Sequence, residues 1–153
     1  MGYVEKNVLH GESIVYKASI HWFIFMPGIV IFSLGVYLSI IGAEGDTGGV
    51  FGSIAIIIAL VSLLRAVIFK FTTELAVTSK RVIAKVGLIS RNTVELNHSK
   101  VESLNVNQSI LGRVFGYGTL IINGTGGGKT PIPNIVSPLE FRREAMQAID
   151  SSQ

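Results

Sequence analysis

Two long apolar runs limit what this chain can fold into more than anything else in it. Between Lys17 and Glu44 there is no Asp, Glu, Lys or Arg, and SIHWFIFMPGIVIFSLGVYLSII fills most of that gap. GGVFGSIAIIIALVSLLRAVIFKF follows, uncharged from Gly48 to Leu64. A helix that crosses a bilayer needs about 20 predominantly apolar residues, and both runs meet that length. A chain of 153 residues offers little protein in which to bury two such helices. A cleaved signal sequence has an apolar stretch of roughly 7–15 residues, shorter than the first run here. The reading is therefore a transmembrane hairpin, with spans over about 19–41 and 49–69. Charged residues are only 15% of the chain and its mean hydropathy is +0.53, which agrees.

Details of the runs fit this reading. Trp22 stands near one end, where an amphipathic ring suits the headgroup zone. Pro27 is expected to kink the first helix or to be accommodated by a neighbour. Arg65 lies near the end of the second run, close enough for its side chain to reach the interface, and Lys70 marks the boundary. Only GAEGDTGG separates the spans; it holds Glu44 and Asp46 and no basic residue. Lys6, Lys17, Arg65, Lys70, Lys80 and Arg81 flank the other side. The positive-inside rule then puts both termini in the cytoplasm of a multi-pass protein of the cell membrane. Residues 1–18 form a cytoplasmic lead in this scheme, and 70–153 a cytoplasmic domain.

The second span carries a pattern of small residues. Gly48, Gly52, Ala55, Ala59, Ser62 and Ala66 follow one another at steps of four and three, which puts them on one helical stripe. The first span has Gly28, Gly35, Ser39 and Gly42 at compatible spacing. The stripe packs either on the first span or on another copy of the chain, which would make a homo-oligomer.

Beyond Phe71 the texture changes to short alternating segments. FTTELAVTS, RVIAKVGLISR, NTVEL, VESLNVN, TLIIN and TPIPNI read as six strands, the last of edge type because of its prolines. SILGRVFGYG reads as a turn or short helical piece. SPLEFRREAMQAI is a helix: Ser137 is a natural N-cap, Pro138 takes the first position and Glu140 completes a capping box. Phe141, Ala145, Ala148 and Ile149 line one face of it. The soluble part is thus α+β, an antiparallel barrel or sandwich with a helix packed on it.

NGTGGGKTP, from Asn123 to Pro131, has the look of a phosphate-binding loop. That motif is G-x-x-x-x-G-K-[ST] between a strand and a helix. Counting back from Gly128-Lys129-Thr130 puts Asn123 where the first glycine belongs. Pro131 and Pro133 follow in an extended pattern, so no helix terminus stands behind the loop to hold phosphate. The expectation is a hairpin loop and no nucleotide. Other chemistry is equally thin. His10, His21 and His98 share no ligand spacing and read as isolated surface or interface residues. Cysteine is absent. The mild charge of +3 does not point to nucleic acid. No enzyme, cofactor or metal is expected.

A short lead, two spans, a strand-rich domain and a final helix together resemble the bacterial pleckstrin-homology-like membrane proteins. TELAVTSKRVIAKVGLISR carries the resemblance with its T-x-x-R-like start. VESLNVNQSILGRVFGYGTLII and IPNIVSPLEFRREAMQAI extend it. The resemblance implies a split barrel capped by a C-terminal helix over about residues 71–150, with no catalytic residues to carry over. In eukaryotic relatives the loop between the first two strands supplies basic residues to lipid headgroups. The matching turn here would hold Lys80 and Arg81, with Lys85 and Arg91 further on, as candidate contacts to anionic lipid. The function expected is a non-catalytic, membrane-anchored scaffold or protein-interaction module with an unidentified protein partner. The alternative is a small oligomeric transport or pore component.

Overall fold

Both apolar runs are helical in the computed structural model, which describes residues 2–42, 47–87 and 92–152. A 3-10 turn at Trp22–Phe25 leads into α2 (Met26–Ile41), and α3 covers Thr47–Thr72. A four-residue helix, α1 (Tyr3–Lys6), precedes them. Glu44, Asp46 and Arg91 lie outside the described residues. Trp22–Ile41 and Thr47–Thr72 are each long and apolar enough to cross a membrane. Only 11% of each apolar window is buried, whereas a core helix of a soluble protein buries most of its surface. Pro27 sits in the first turn of α2, where a missing N–H leaves nothing unsatisfied, so it opens the helix and does not kink it. α3 continues through Thr72, past the expected end of the span.

The described residues up to His21 group with those from Lys70 onward, and Trp22–Phe69 form a second unit. Inside that second unit the two helices meet along small residues. Gly28, Gly35 and Gly42 are the buried positions of α2 and its C-cap, and Gly52, Ala59 and Ala66 those of α3. Each set repeats at seven residues, the spacing that keeps a seam facing its partner in a left-handed helix pair. A Cβ added at Gly52 would lie 2.6 Å from the Ser39 backbone nitrogen and 2.7 Å from the Gly35 oxygen. One added at Gly35 would lie 2.9 Å from the Ile56 nitrogen. Gly48, Ala55 and Ser62 are half-buried beside this seam.

Among its described residues the other unit holds seven strands. β1 (Ile14–Ala18), β2 (Glu74–Thr78), β3 (Arg81–Val86) and β4 (Asn92–Asn97) form an antiparallel sheet in that order. β5 (Val101–Asn107), β6 (Tyr117–Gly124) and β7 (Lys129–Val136) form a second. α4 (Ile110–Phe115) links β5 to β6, and α5 (Pro138–Asp150) ends the chain. The two sheets join where β1 runs on: Ile20 bridges to Ile135, and the Val136 N–H donates to the Ser19 carbonyl at 3.0 Å. Leu75, Val77, Val82, Leu120, Ile122, Ile132 and Ile135 fill the interior. α5 closes it with Phe141, Ala145, Ala148 and Ile149, all buried, and the Phe141 ring meets Tyr16 edge-on at 5.9 Å.

Three sequence expectations need correction. Residues 1–18 are not a lead to the spans; they supply α1 and β1 to the same unit as the downstream strands. The alternation Tyr16, Ala18, Ile20 carries β1's inward face. Secondly, the alternation in FTTELAVTS predicts a half-buried strand, but β2 is buried on both faces, because Val4 of α1 packs on Ala76 and Ile83 from outside. Thirdly, Ser137 makes no side-chain cap. It adopts φ 45°, ψ 56°, outside the extended geometry a capping box needs, and Glu140 accepts instead from the Tyr16 hydroxyl at 3.2 Å.

Candidate functional site

Of the four basic residues singled out from the sequence, the three that lie among the described residues, Lys80, Arg81 and Lys85, are not brought together as a patch. Lys80 is exposed at the turn between β2 and β3. It overlooks a cleft of about 610 Å³ that Asn97, His98 and Ser152 also line. Arg81, its neighbour, is committed inward. Its Nε donates to Glu12 at 3.0 Å, and one terminal nitrogen reaches Glu12 at 3.1 Å and the Asn7 carbonyl at 2.7 Å. The other terminal nitrogen donates to Glu95. Lys85 is held 3.6 Å from Glu74, over the Tyr3 ring.

Glu12 is the buried centre of this arrangement. It accepts from the Thr78 hydroxyl at 2.6 Å and from the Leu9 N–H at 2.8 Å as well as from Arg81. Burial by itself would raise its pKa. The hydrogen bonds from Arg81, Thr78 and Leu9, with the charge of Arg81, outweigh burial and lower it to about 2. Glu74 plays a matching part at α1, accepting the Tyr3 and Val4 N–H groups at 2.7 and 3.1 Å. Thr78 and Arg81, the T-x-x-R pair, thus fasten the N-terminal segment to the sheet. His98 is buried, not at the surface, with Nδ1 2.9 Å from Ser152 Oγ. Burial lowers its pKa, and the Thr78 carbonyl and Glu12 offset part of that.

The opposite end of the strands is built differently. Lys80 lies two residues past the end of β2, whereas the chain enters β2 from α3 at Thr73. The five residues of β2, Glu74–Thr78, separate the two, roughly 17 Å of strand. At the entry end stands α4. The Ser109 hydroxyl caps it by accepting from the Gly112 N–H at 3.1 Å, and Gly116 ends it in the left-handed conformation at φ 74°. A Cβ on Gly112 would lie 2.6 Å from the Tyr117 carbonyl oxygen, so glycine lets the helix settle on β6. Ile110, Leu111, Val114 and Phe115 then turn outward, 82%, 54%, 73% and 45% exposed. Arg113 and Leu139 border an adjoining cleft of about 670 Å³. The α4 segment reads from sequence as a turn or a short helical piece, and it is the helix. Its signal was four large apolar residues at i, i+1, i+4 and i+5, a stripe of helical spacing interrupted only by Gly112 and Arg113.

The glycine loop is a hairpin. β6 and β7 flank it, the Gly124 N–H donates to the Gly128 carbonyl at 3.0 Å, and Lys129 begins a strand. Among the described residues no group of three or more His, Asp or Glu side chains is placed to hold a metal ion.

A family model described as the bacterial PH domain matches residues 27–149. The chain belongs to the bacterial PH domain family. The match starts inside α2 and ends in α5, so it takes in the apolar helices as well as β2 to β7. No curated protein and no solved structure matches the chain. In this PH domain the first two strands of the sheet are β1 and β2, and the apolar hairpin is what joins them. The turn with Lys80 and Arg81 joins the second strand to the third. The resemblance had aligned it one strand too early, because β1 lies upstream of the apolar helices.

Proposed function

We propose that this PH domain protein is a non-catalytic module anchored in the cell membrane, which presents a folded surface to protein partners at the cytoplasmic face. Its hairpin crosses the bilayer twice and both termini are cytoplasmic. The two sheets and α5 make the split barrel of the family. One observation carries the reading: the hairpin is inserted between two paired strands of the domain. Residues 19–21 link β1 to the 3-10 turn before α2, and Thr73 alone links α3 to β2. Three residues reach at most about 11 Å, so neither connection lets the domain leave the membrane surface. The basic residues around the spans support the orientation. Packing of the glycine seam within one hairpin supports an anchor more than a pore.

Photo-crosslinking in native membranes tests this. A photoreactive residue at exposed Lys80, Lys129 or Arg142 should give discrete adducts with another protein, while one at Ile57 gives lipid adducts. A folded protein with no protein adduct from any of the three domain positions would defeat the reading. Self-adducts from the spans alone would favour a transport or pore assembly.

A further inference from the structure

We propose that α4 is a second, interfacial membrane contact: its apolar stripe rests in the headgroup–acyl boundary of the bilayer that the hairpin crosses. This rests on the spanning role proposed for the hairpin. The stripe is an exposed surface of large side chains, Ile110, Leu111 and Val114, on a helix fixed by a serine cap and a left-handed glycine. Such a surface facing water is unfavourable, and a helix with one apolar face and a basic flank is suited to lie in an interface.

Position selects lipid as the occupant. β1 leaves the domain through Ile20, bridged to Ile135, and His21, whose ring stacks on Tyr117 at 5.4 Å. Tyr117 is the first residue of β6, one residue past the Gly116 cap of α4. β1 and β2 are antiparallel with Ala18 opposite Leu75, so the returning chain enters β2 at this same end. Both covalent links to the apolar helices therefore lie beside α4, and the chain is too short there to hold α4 far from the surface. Arg113, exposed on the same helix, is placed for anionic headgroups. The far end of β6 contrasts with this: its tip is the Thr125–Gly128 loop, about 23 Å from Tyr117 along the strand.

The natural chain has no cysteine, so single-cysteine variants of the full protein give unambiguous labels. Ile110→Cys, Val114→Cys, Gly126→Cys and Ile57→Cys would each carry an environment-sensitive fluorophore in phosphatidylethanolamine–phosphatidylglycerol vesicles. Brominated lipids and aqueous iodide serve as quenchers. Labels at 110 and 114 should be quenched by shallow brominated lipid at least about twofold more than the label at 126. The label at 57 should be quenched by deep brominated lipid. Quenching at 57, with 110 and 114 behaving as 126 does, would overturn the inference and leave the hairpin standing. Absence of quenching at 57 would instead refute the spanning role and the inference with it. Shielding of 110 and 114 from both quenchers would identify a protein contact there and also overturn it.

Discussion

Arg81 gives four hydrogen bonds to three residues, Asn7, Glu12 and Glu95, and two of those three lie in the N-terminal segment. Removing it leaves Glu12 a buried carboxylate without its counter-charge, which costs far more than the pair contributes. Arg81→Ala should therefore destabilise the domain by about 3 kcal/mol, read as a fall in thermal unfolding temperature in detergent. A lipid-contact role would leave that temperature unchanged. The pair also sets a pH dependence. Glu12 is held at about 2 when folded against 4.5 ordinarily, so its contribution is complete above about 4.5 and is lost as pH falls toward 2. Integrated over that interval it is on the order of 3 kcal/mol. Glu12→Gln should lower stability at pH 7 and flatten the acid side of the curve. Glu74 and Glu5, also lowered, keep a residual slope of the same sign. An unchanged acid limb in Glu12→Gln would show that Glu12 is not the group responsible.

Helices α2 and α3 approach closely because glycine occurs where their backbones meet. Gly52→Leu should separate them, since the added side chain meets the Ser39 and Gly35 backbones at once. Ile57→Leu, on an exposed face, should have no effect. Thermal stability falling in Gly52→Leu alone supports a seam within one chain. If only cross-linking between copies fell, the seam would lie between chains. Legibility at this scale followed local pattern. The six downstream strands, the two apolar helices and α5 carry their signals within their own residues, as alternation, a long apolar run or a helical stripe. The seam was visible as small residues, but the choice of partner helix depends on tertiary packing. β1 was hidden because its alternation runs straight into the first apolar run, and nothing local says that a strand before a hairpin pairs with one after it. Arg81 looked like a surface cation for the same reason: its partner Glu12 is 69 residues away. The missing cap at Ser137 follows from backbone strain, which composition does not reveal.

At the scale of the molecule, the domain is interrupted by its own pair of apolar helices. Residues 70–153 alone lack β1, Val4 and Glu12, and should not fold. Joining residues 1–21 to 70–153 through a short Gly-Ser linker restores those pieces, so that chimera should show cooperative unfolding in mild detergent. Folding of 70–153 by itself would mean that the N-terminal segment is dispensable. The anchor's path is the central claim, and cysteine accessibility in oriented vesicles tests it most directly. Gly45→Cys and Gly126→Cys are treated with a membrane-impermeant maleimide in right-side-out and inverted vesicles. The hairpin between β1 and β2 predicts that Gly45→Cys reacts in right-side-out vesicles and Gly126→Cys in inverted ones. Reaction of both positions in the same vesicle orientation would contradict a hairpin that crosses the membrane.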